Sequence, residues 1–186
     1  MAVRLTRRRF SADEYQWMAR VGILGEDDRL ELIDGEIVEM APIGPAHSSA
    51  VDEIAACFFR RFGDVARIRV QNPVRLDPYS EPQPDLALVR ARADAYKTAL
   101  PGPDDIYLLV EVADTSLAVD QRVKMPLYAR AGIPEVWIVD LRHEVLYVHR
   151  DPSEATYRVT MPARRGQSLA PLAFPDCGLA VADLLG

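Results

Sequence analysis

The sequence predicts an α/β fold built around a mixed β-sheet. Three apolar runs of strand length lie at residues 84–89, 107–112 and 136–140, and a helical segment at residues 118–130 separates the last two. A strand, a crossover helix and a further strand form a βαβ unit, whose strands are parallel and whose crossover is right-handed. Alternating segments beyond residue 140 predict antiparallel strands, so we expect a mixed sheet flanked by helices.

The N-terminal part predicts a helix followed by a hairpin. Ser11 is a predicted N-cap and Glu14 completes a capping box, so the helix begins there and ends before the glycines at positions 22 and 25. Residues 30–40 then predict two short strands, because the Asp34-Gly35 dipeptide between them is a strong signal for a tight turn.

The next segments predict a second helix and a further strand. After a loop at residues 41–45, apolar residues recur at helical spacing from residue 46 to residue 62, and we expect this helix to pack on the sheet. Residues 68–71 and 74–76 alternate between apolar and polar side chains, which predicts a strand or hairpin with one solvated face.

The C-terminal region predicts the remaining strands. Residues 144–149, 156–160 and 167–171 have the pattern of antiparallel strands, and residues 179–184 that of a short terminal helix. A chain of 186 residues is long enough for one well-buried core. We therefore expect a single domain over residues 1–186, with its core at about residues 30–140.

The composition excludes several classes of protein. No apolar run approaches the ~20 residues of a membrane helix, and the basic first ten residues are not followed by the apolar run of a secretory signal. We expect a cytoplasmic protein that does not enter a membrane. The spacing of Cys57 and Cys177 indicates neither a zinc site nor a disulfide framework. A net charge of −6 argues against a protein that coats nucleic acid by bulk electrostatics.

Two apolar strands each carry one acidic residue, Asp85 at the start of the first and Glu111 near the end of the second. Burying an isolated carboxylate costs several kcal/mol unless it is paired or binds a metal, so the two acids suggest a shared cation. Mg²⁺ is the natural candidate because it prefers oxygen ligands. The alternative is that Asp85 caps a turn and that Glu111 points outward from an edge strand.

These residues resemble a known family. The Pro84-Asp85 pair, Glu111 in its apolar strand and the helix at residues 120–132 leading into the strand at residues 136–140 are similar to the Uma-type putative restriction endonuclease family, part of the PD-(D/E)XK nuclease superfamily. The resemblance implies a restriction endonuclease-like core, a central mixed sheet flanked by helices. It also implies that Asp85 and Glu111 bind Mg²⁺ or Mn²⁺ and that the reaction is hydrolysis of a DNA phosphodiester.

The catalytic lysine departs from the superfamily pattern. That lysine usually lies two residues after the strand acid, where this chain has Ala113, and the resemblance implies that Lys124 on the following helix takes its place. Asp120, Lys124 and Tyr128 lie along one side of that helix at spacing i, i+4, i+8. The alternative is a surface ion pair beside a helix-packing tyrosine. Pro126 disfavours a regular helix, so Lys124 lies either before the regular helix or at a kink, and a kink could aim it toward the site or away from it.

Three more residues are candidates. Glu31 in the hairpin is either an outward-facing strand residue or a third acid of the site. His47 lies in the first turn of the second helix, where it could contact phosphate or a ligand, or cap the helix as a partly buried histidine. Gln83 precedes the proline-aspartate pair and is carried over from the resemblance.

The function that follows is a Mg²⁺-dependent endodeoxyribonuclease, a hydrolase that acts on ester bonds, with Asp85, Glu111 and Lys124 as its catalytic residues. Ala113 and the acidic net charge favour an alternative, a catalytically weakened nuclease-fold module that binds nucleic acid or a protein partner. A third alternative is a metal-dependent hydrolase of a small phosphate ester. A homodimer would suit an enzyme that cuts both strands, and the apolar C-terminal strands are its candidate interface.

Overall fold

A computed structural model of the chain describes residues 7–25 and 27–186. Residues 1–6 lie outside this description, and with them Arg4 of the basic N-terminal segment. The N-terminal elements are α1 (Ala12–Arg20), β1 (Leu30–Ile33), β2 (Glu36–Glu39), α2 (Pro45–Phe62), β3 (Arg67–Val70) and β4 (Leu86–Val89). They are followed by β5 (Ile106–Ala113), α3 (Leu117–Val119), a π-helical turn (Asp120–Lys124), α4 (Met125–Arg130), β6 (Glu135–Asp140), β7 (Val145–Ser153), β8 (Thr156–Ala163), β9 (Ser168–Leu169), β10 (Leu179–Ala180) and α5 (Ala182–Leu185).

The centre of the fold is a six-stranded sheet in the order β3-β4-β5-β6-β7-β8. Strands β5 and β6 are parallel and are joined by the helical segment that contains α3 and α4, which is the predicted βαβ unit. The other neighbouring pairs in this sheet are antiparallel. The predicted α/β class with a mixed, helix-flanked sheet is therefore confirmed.

Helices cover both faces of the sheet, which explains why β4 is apolar throughout instead of alternating. Leu86 and Leu88 belong to the core cluster formed with α2 and α5. Ala87 and Val89 point to the other face and belong to the cluster formed with α4. Because β4 is buried on both faces, it has no position for a solvated side chain. Asp85 lies one residue before this strand.

The predicted N-terminal helix and hairpin are both present. The Ser11 side chain accepts a hydrogen bond from the Glu14 N–H at 3.2 Å, and the Glu14 carboxylate accepts one from the Ser11 N–H at 2.9 Å, which completes the capping box. The hairpin turn has positive φ at Asp34 (49°) and Gly35 (82°). Two successive positive φ angles are what a tight hairpin turn requires, and Asp-Gly is suited to them.

One predicted strand is wrong, and one predicted helix is shorter than expected. Residues 74–76 do not form a strand: Val74 and Leu76 are buried, but their N–H groups bond to the carbonyls of Pro82 and Ser80 in an irregular loop. Their apolar alternation reflects the packing of this loop. The predicted terminal helix at residues 179–184 is confined to α5, because Leu179 and Ala180 pair with β9 as a short strand. No described helix is both long and apolar enough to cross a membrane.

Candidate active site

The register of the sheet brings Asp85 and Glu111 together. Strands β4 and β5 pair Leu86 with Val110 and Ala87 with Leu109, so the same register continued by one residue sets Asp85 opposite Glu111. Leu109 and Ala113, the neighbours of Glu111 on its own side of β5, face the helical layer that contains α4. Asp85 and Glu111 consequently share this face and line one cavity of about 320 Å³.

Asp85 is held by three hydrogen-bond donors. Its Oδ2 accepts from the Val112 N–H at 2.8 Å and lies 3.1 Å from Nε2 of His47, and its Oδ1 accepts from Nε2 of Gln71 at 3.3 Å. Burial alone would raise the pKa of this carboxyl, but the hydrogen bond and charge of His47, together with the Val112 N–H, bring the pKa below its ordinary value. Asp85 is therefore ionised in the folded protein.

His47 contacts Asp85 and does not cap α2, because the N-cap residue of this helix is Gly44. The hydrogen bond to Asp85 raises the pKa of the His47 imidazole, against the opposing effect of burial. His47 lies in the first turn of α2, which begins at Pro45, and it lines the cavity. The structure therefore places His47 in the cavity beside Asp85, and the alternative of a helix cap does not apply.

Glu111 is almost completely buried, with 2% of its surface exposed. Its Oε2 lies 3.2 Å from Nζ of Lys124, and its Oε1 accepts a short hydrogen bond from the Tyr128 hydroxyl. Burial raises the pKa of Glu111 well above its ordinary value, and Lys124 offsets this only in part because Asp120, Asp85 and Glu31 are also close. The protonated form of Glu111 is therefore favoured more strongly than in a free glutamate.

Lys124 points into the cavity and not away from it. Its Nζ bridges Oε1 of Glu31 at 3.1 Å and Oε2 of Glu111 at 3.2 Å. Burial would lower the pKa of Lys124, but the surrounding carboxylates outweigh it and raise that pKa above its ordinary value. Glu31 is buried, so it is the third acid of the site and the outward-facing alternative is wrong.

The π-helical turn resolves the problem posed by Pro126. The Met125 N–H bonds to the Asp120 carbonyl five residues back, and all residues at the ends of this turn keep helical φ and ψ. A widened turn immediately before Pro126 admits a residue that has no N–H and whose ring would clash with a regular preceding turn. The helix is therefore continuous past the proline, with Lys124 in its wide turn.

Asp120 and Tyr128 are buried on the same side of this helical segment, with 4% and 0% of their surfaces exposed. Asp120 accepts a hydrogen bond from the Ser116 hydroxyl at 2.7 Å, and burial raises the pKa of its carboxyl. Asp120 and Lys124 are therefore not a surface ion pair, whereas Tyr128 does pack in the core cluster formed with α4.

Two glutamines complete the network. The Gln83 N–H donates to Oε1 of Glu31 at 2.8 Å, and the Gln83 side chain donates to the Gln71 carbonyl at 2.6 Å. The Gln71 N–H donates to the Asp85 carbonyl at 2.8 Å. Gln71 was not among the predicted site residues. Its φ of 47° is rare for a glutamine.

The donor set suits a hard divalent cation. Six acidic residues line the cavity together with Arg29, His47 and Lys124, and four of the acids, Glu31, Asp85, Glu111 and Asp120, surround Lys124. Among the described residues, no three His, Cys, Asp or Glu side chains converge closely enough to hold a metal ion by themselves. Two carboxylates with water and substrate oxygens are the usual ligands of Mg²⁺, so the residues present fit this ion.

Comparison with known proteins agrees with the fold. Residues 12–182 match the model of the family Uma2, described as "Putative restriction endonuclease". The chain is similar in structure to a putative nuclease belonging to DUF820 from Anabaena variabilis ATCC 29413, with a TM-score of 0.71 and 14% sequence identity over 95% of this chain and 97% of that one. No curated protein sequence matches. Because the family model spans nearly all of the chain, this protein belongs to the Uma2 family of putative restriction endonucleases.

Proposed function

We propose that the protein is a metal-dependent endonuclease that hydrolyses DNA phosphodiester bonds, with Asp85, Glu111 and Lys124 as its catalytic residues. The observation that carries this proposal is the convergence of these three side chains in one cavity, on a chain of the Uma2 family. Asp85 and Glu111 are the proposed ligands of Mg²⁺ or Mn²⁺. A divalent cation held there would stabilise the negative charge that develops on the phosphoryl oxygens.

In the proposed reaction, the oxygen of a water molecule bonds to phosphorus and the bond from phosphorus to one sugar oxygen breaks. The products are a phosphate monoester and a sugar hydroxyl, and the protons of the water end on the leaving oxygen and in solvent. Lys124 carries a positive charge at Glu111, where it can stabilise the incoming oxygen or the phosphoryl charge. Tyr128 and His47 hold the carboxylates of Glu111 and Asp85 in place through their hydrogen bonds.

The family and the geometry favour catalysis over the alternative of a binding module. Ala113 lies where the superfamily lysine is usual, but the ammonium of Lys124 reaches the carboxylate of Glu111 from the helix. The positive group that a nuclease needs beside this acid is thus supplied from a different element.

The test is cleavage of supercoiled plasmid DNA together with calorimetric titration of Mg²⁺ and Mn²⁺. We expect metal-dependent cleavage by the wild type and its loss in Asp85→Asn and Glu111→Gln. Asp64→Asn makes the same chemical change at an exposed turn and should leave cleavage unaffected. A wild-type protein that binds neither ion, or metal-bound protein that leaves DNA intact, would contradict the proposal.

A further inference from the structure

Three aliphatic side chains lie at the rim of the catalytic cavity, the cavity lined by Asp85, Glu111 and Lys124. Val38 and Ile43 line it from β2 and the loop that follows, and Val119 lines it from α3. These three side chains are 41%, 38% and 57% exposed, although most valine and isoleucine side chains of the fold are buried. Exposed aliphatic groups around a recessed charged site indicate a ligand with an apolar surface next to its charged group.

The same rim has few positive charges. Arg29 and Lys124 are the lysine and arginine residues among those described around the cavity. Lys124 forms ion pairs with the carboxylates of Glu31 and Glu111. Arg29 donates one hydrogen bond to the Ala41 carbonyl at 2.9 Å. Glu39 and Asp114 add negative charge at the same mouth, and Arg142 lies with its Nε 3.6 Å from Oδ1 of Asp114. Affinity for duplex DNA comes largely from many lysine and arginine contacts to phosphates, and this mouth offers almost none.

The catalytic groups lie below the rim. The side chains of Asp85, Glu111 and Lys124 are only 14%, 3% and 13% exposed. The cavity of about 320 Å³ is at the small end of the range of sites that enclose small molecules. A stiff duplex cannot bend one phosphodiester into such a recess, whereas an unpaired strand can.

Resting on the nuclease function proposed above, we propose that the substrate is single-stranded DNA, or an unpaired segment of DNA, and not intact duplex. The phosphodiester enters the cavity, and the bases next to it lie against Val38, Ile43 and Val119. Enzymes that act on unpaired or extruded nucleotides commonly hold the base between aromatic or apolar side chains.

The first test measures binding without catalysis. A fluorescein-labelled strand of about 16 nucleotides and its duplex are titrated with wild-type protein in EDTA, at salt concentrations between about 50 and 200 mM. We expect the strand to bind at least tenfold more tightly than the duplex. We also expect a shallow salt dependence, with a slope of log K against log salt of roughly −1.4 for two phosphate contacts. Equal or tighter binding of the duplex would overturn the inference.

Two valines one turn apart provide a matched pair. Val119 lines the cavity, whereas Val123, 42% exposed on the same helical segment, does not. Val119→Ser should weaken binding of the single strand about fivefold, as expected when one base loses an apolar contact. Val123→Ser should leave binding unchanged. An equal effect of both substitutions, or none from either, would contradict the proposed contact between bases and rim.

The cleavage test separates the two proposals. With Mn²⁺ present, we expect the wild type to cut the single strand at least tenfold faster than the duplex. Duplex cleavage at an equal or higher rate would overturn the strand preference and leave the nuclease function standing. Absence of cleavage of either DNA, including the case in which only a small aryl phosphodiester is hydrolysed, would overturn the nuclease function itself.

Discussion

Nζ of Lys124 lies 3.2 Å from Oε2 of Glu111, so the cation and one proposed metal ligand of the site neutralise each other in the folded chain. The pair joins the π-helical turn to β5, and both elements belong to the βαβ unit. A buried ion pair of this kind is costly to break from one side, because the remaining charge has no partner. The contact between Lys124 and Glu111 should therefore affect both the stability of the fold and the proposed chemistry.

Lys124→Met should separate these two effects. We expect the free energy of unfolding in EDTA to fall by about 3 kcal/mol, since Glu111 and Glu31 lose a shared buried cation, and we expect DNA cleavage to fall strongly. Chemical denaturation with and without Mn²⁺ measures the first effect and plasmid cleavage the second. Arg122→Met removes an exposed positive charge from the same turn and should change stability by less than about 0.5 kcal/mol. Wild-type turnover in Lys124→Met would show that this lysine is only structural.

Tyr128→Phe should weaken metal binding without unfolding the core. The phenylalanine fills nearly the same buried volume, but Oε1 of Glu111 loses the hydroxyl that orients it. We expect Mn²⁺ affinity to drop about tenfold in a calorimetric titration, as when the hydrogen-bond partner of a metal ligand is removed.

A second buried tyrosine is the control for that change. The Tyr157 hydroxyl donates to the Ile133 carbonyl at 2.9 Å, in the same core but outside the catalytic cavity. Tyr157→Phe also removes one buried hydrogen bond, so it should lower the free energy of unfolding by about 1 kcal/mol. It should leave Mn²⁺ affinity at its wild-type value. Equal Mn²⁺ affinities in the two variants would show that the Tyr128 hydroxyl does not contribute to metal binding.

Gln71→Gly should uncouple stability from activity. The backbone of Gln71 has a φ of 47°, which costs a non-glycine residue about 1–3 kcal/mol, and its side chain holds Oδ1 of Asp85 at 3.3 Å. Glycine relieves the backbone strain and removes the side-chain contact. We expect stability to be no lower than in the wild type and turnover to fall about tenfold.

Ala95 provides the matching change at a remote position. Its φ is 52°, so Ala95→Gly relieves strain of the same kind in a loop that does not line the catalytic cavity. This variant should keep wild-type turnover. If Gln71→Gly also kept it, the contact from Gln71 to Asp85 would have no role in positioning the carboxylate.

The sequence correctly predicted the elements whose formation depends mainly on residues that are neighbours along the chain. The Ser11–Glu14 capping box, the Asp34-Gly35 turn and the apolar runs of β4, β5 and β6 each act through neighbouring residues, and each is present. The cavity shared by Asp85 and Glu111 also followed, because an acid in an apolar strand needs a counter-charge and sheet register brings neighbouring strands into line.

Other features depend on contacts that the sequence does not display. The position of Lys124 relative to Glu111 is set by one extra residue in a π-helical turn, and Pro126 alone predicted only a kink. Val74 and Leu76 alternate like strand residues although a loop buries them. Gln71 enters the site through a left-handed backbone conformation, and the Asn72-Pro73 dipeptide that follows it indicates a turn but not a site residue.

His149 should make the stability of the folded chain depend on pH in a defined window. Burial lowers the pKa of this imidazole from 6.5 to about 4, and its Nδ1 lies 3.0 Å from the Thr160 hydroxyl. As the pH falls below 6.5, the unfolded chain takes up a proton on this histidine before the folded chain does, so stability decreases until the pH reaches about 4. The loss is at most about 3 kcal/mol. His149→Asn keeps a polar side chain beside Thr160 and has no such titration, so its urea unfolding free energy should fall less steeply between pH 6.5 and 4 and run parallel to the wild type above pH 7. Parallel curves over the whole range would mean that His149 titrates alike in the folded and unfolded chains.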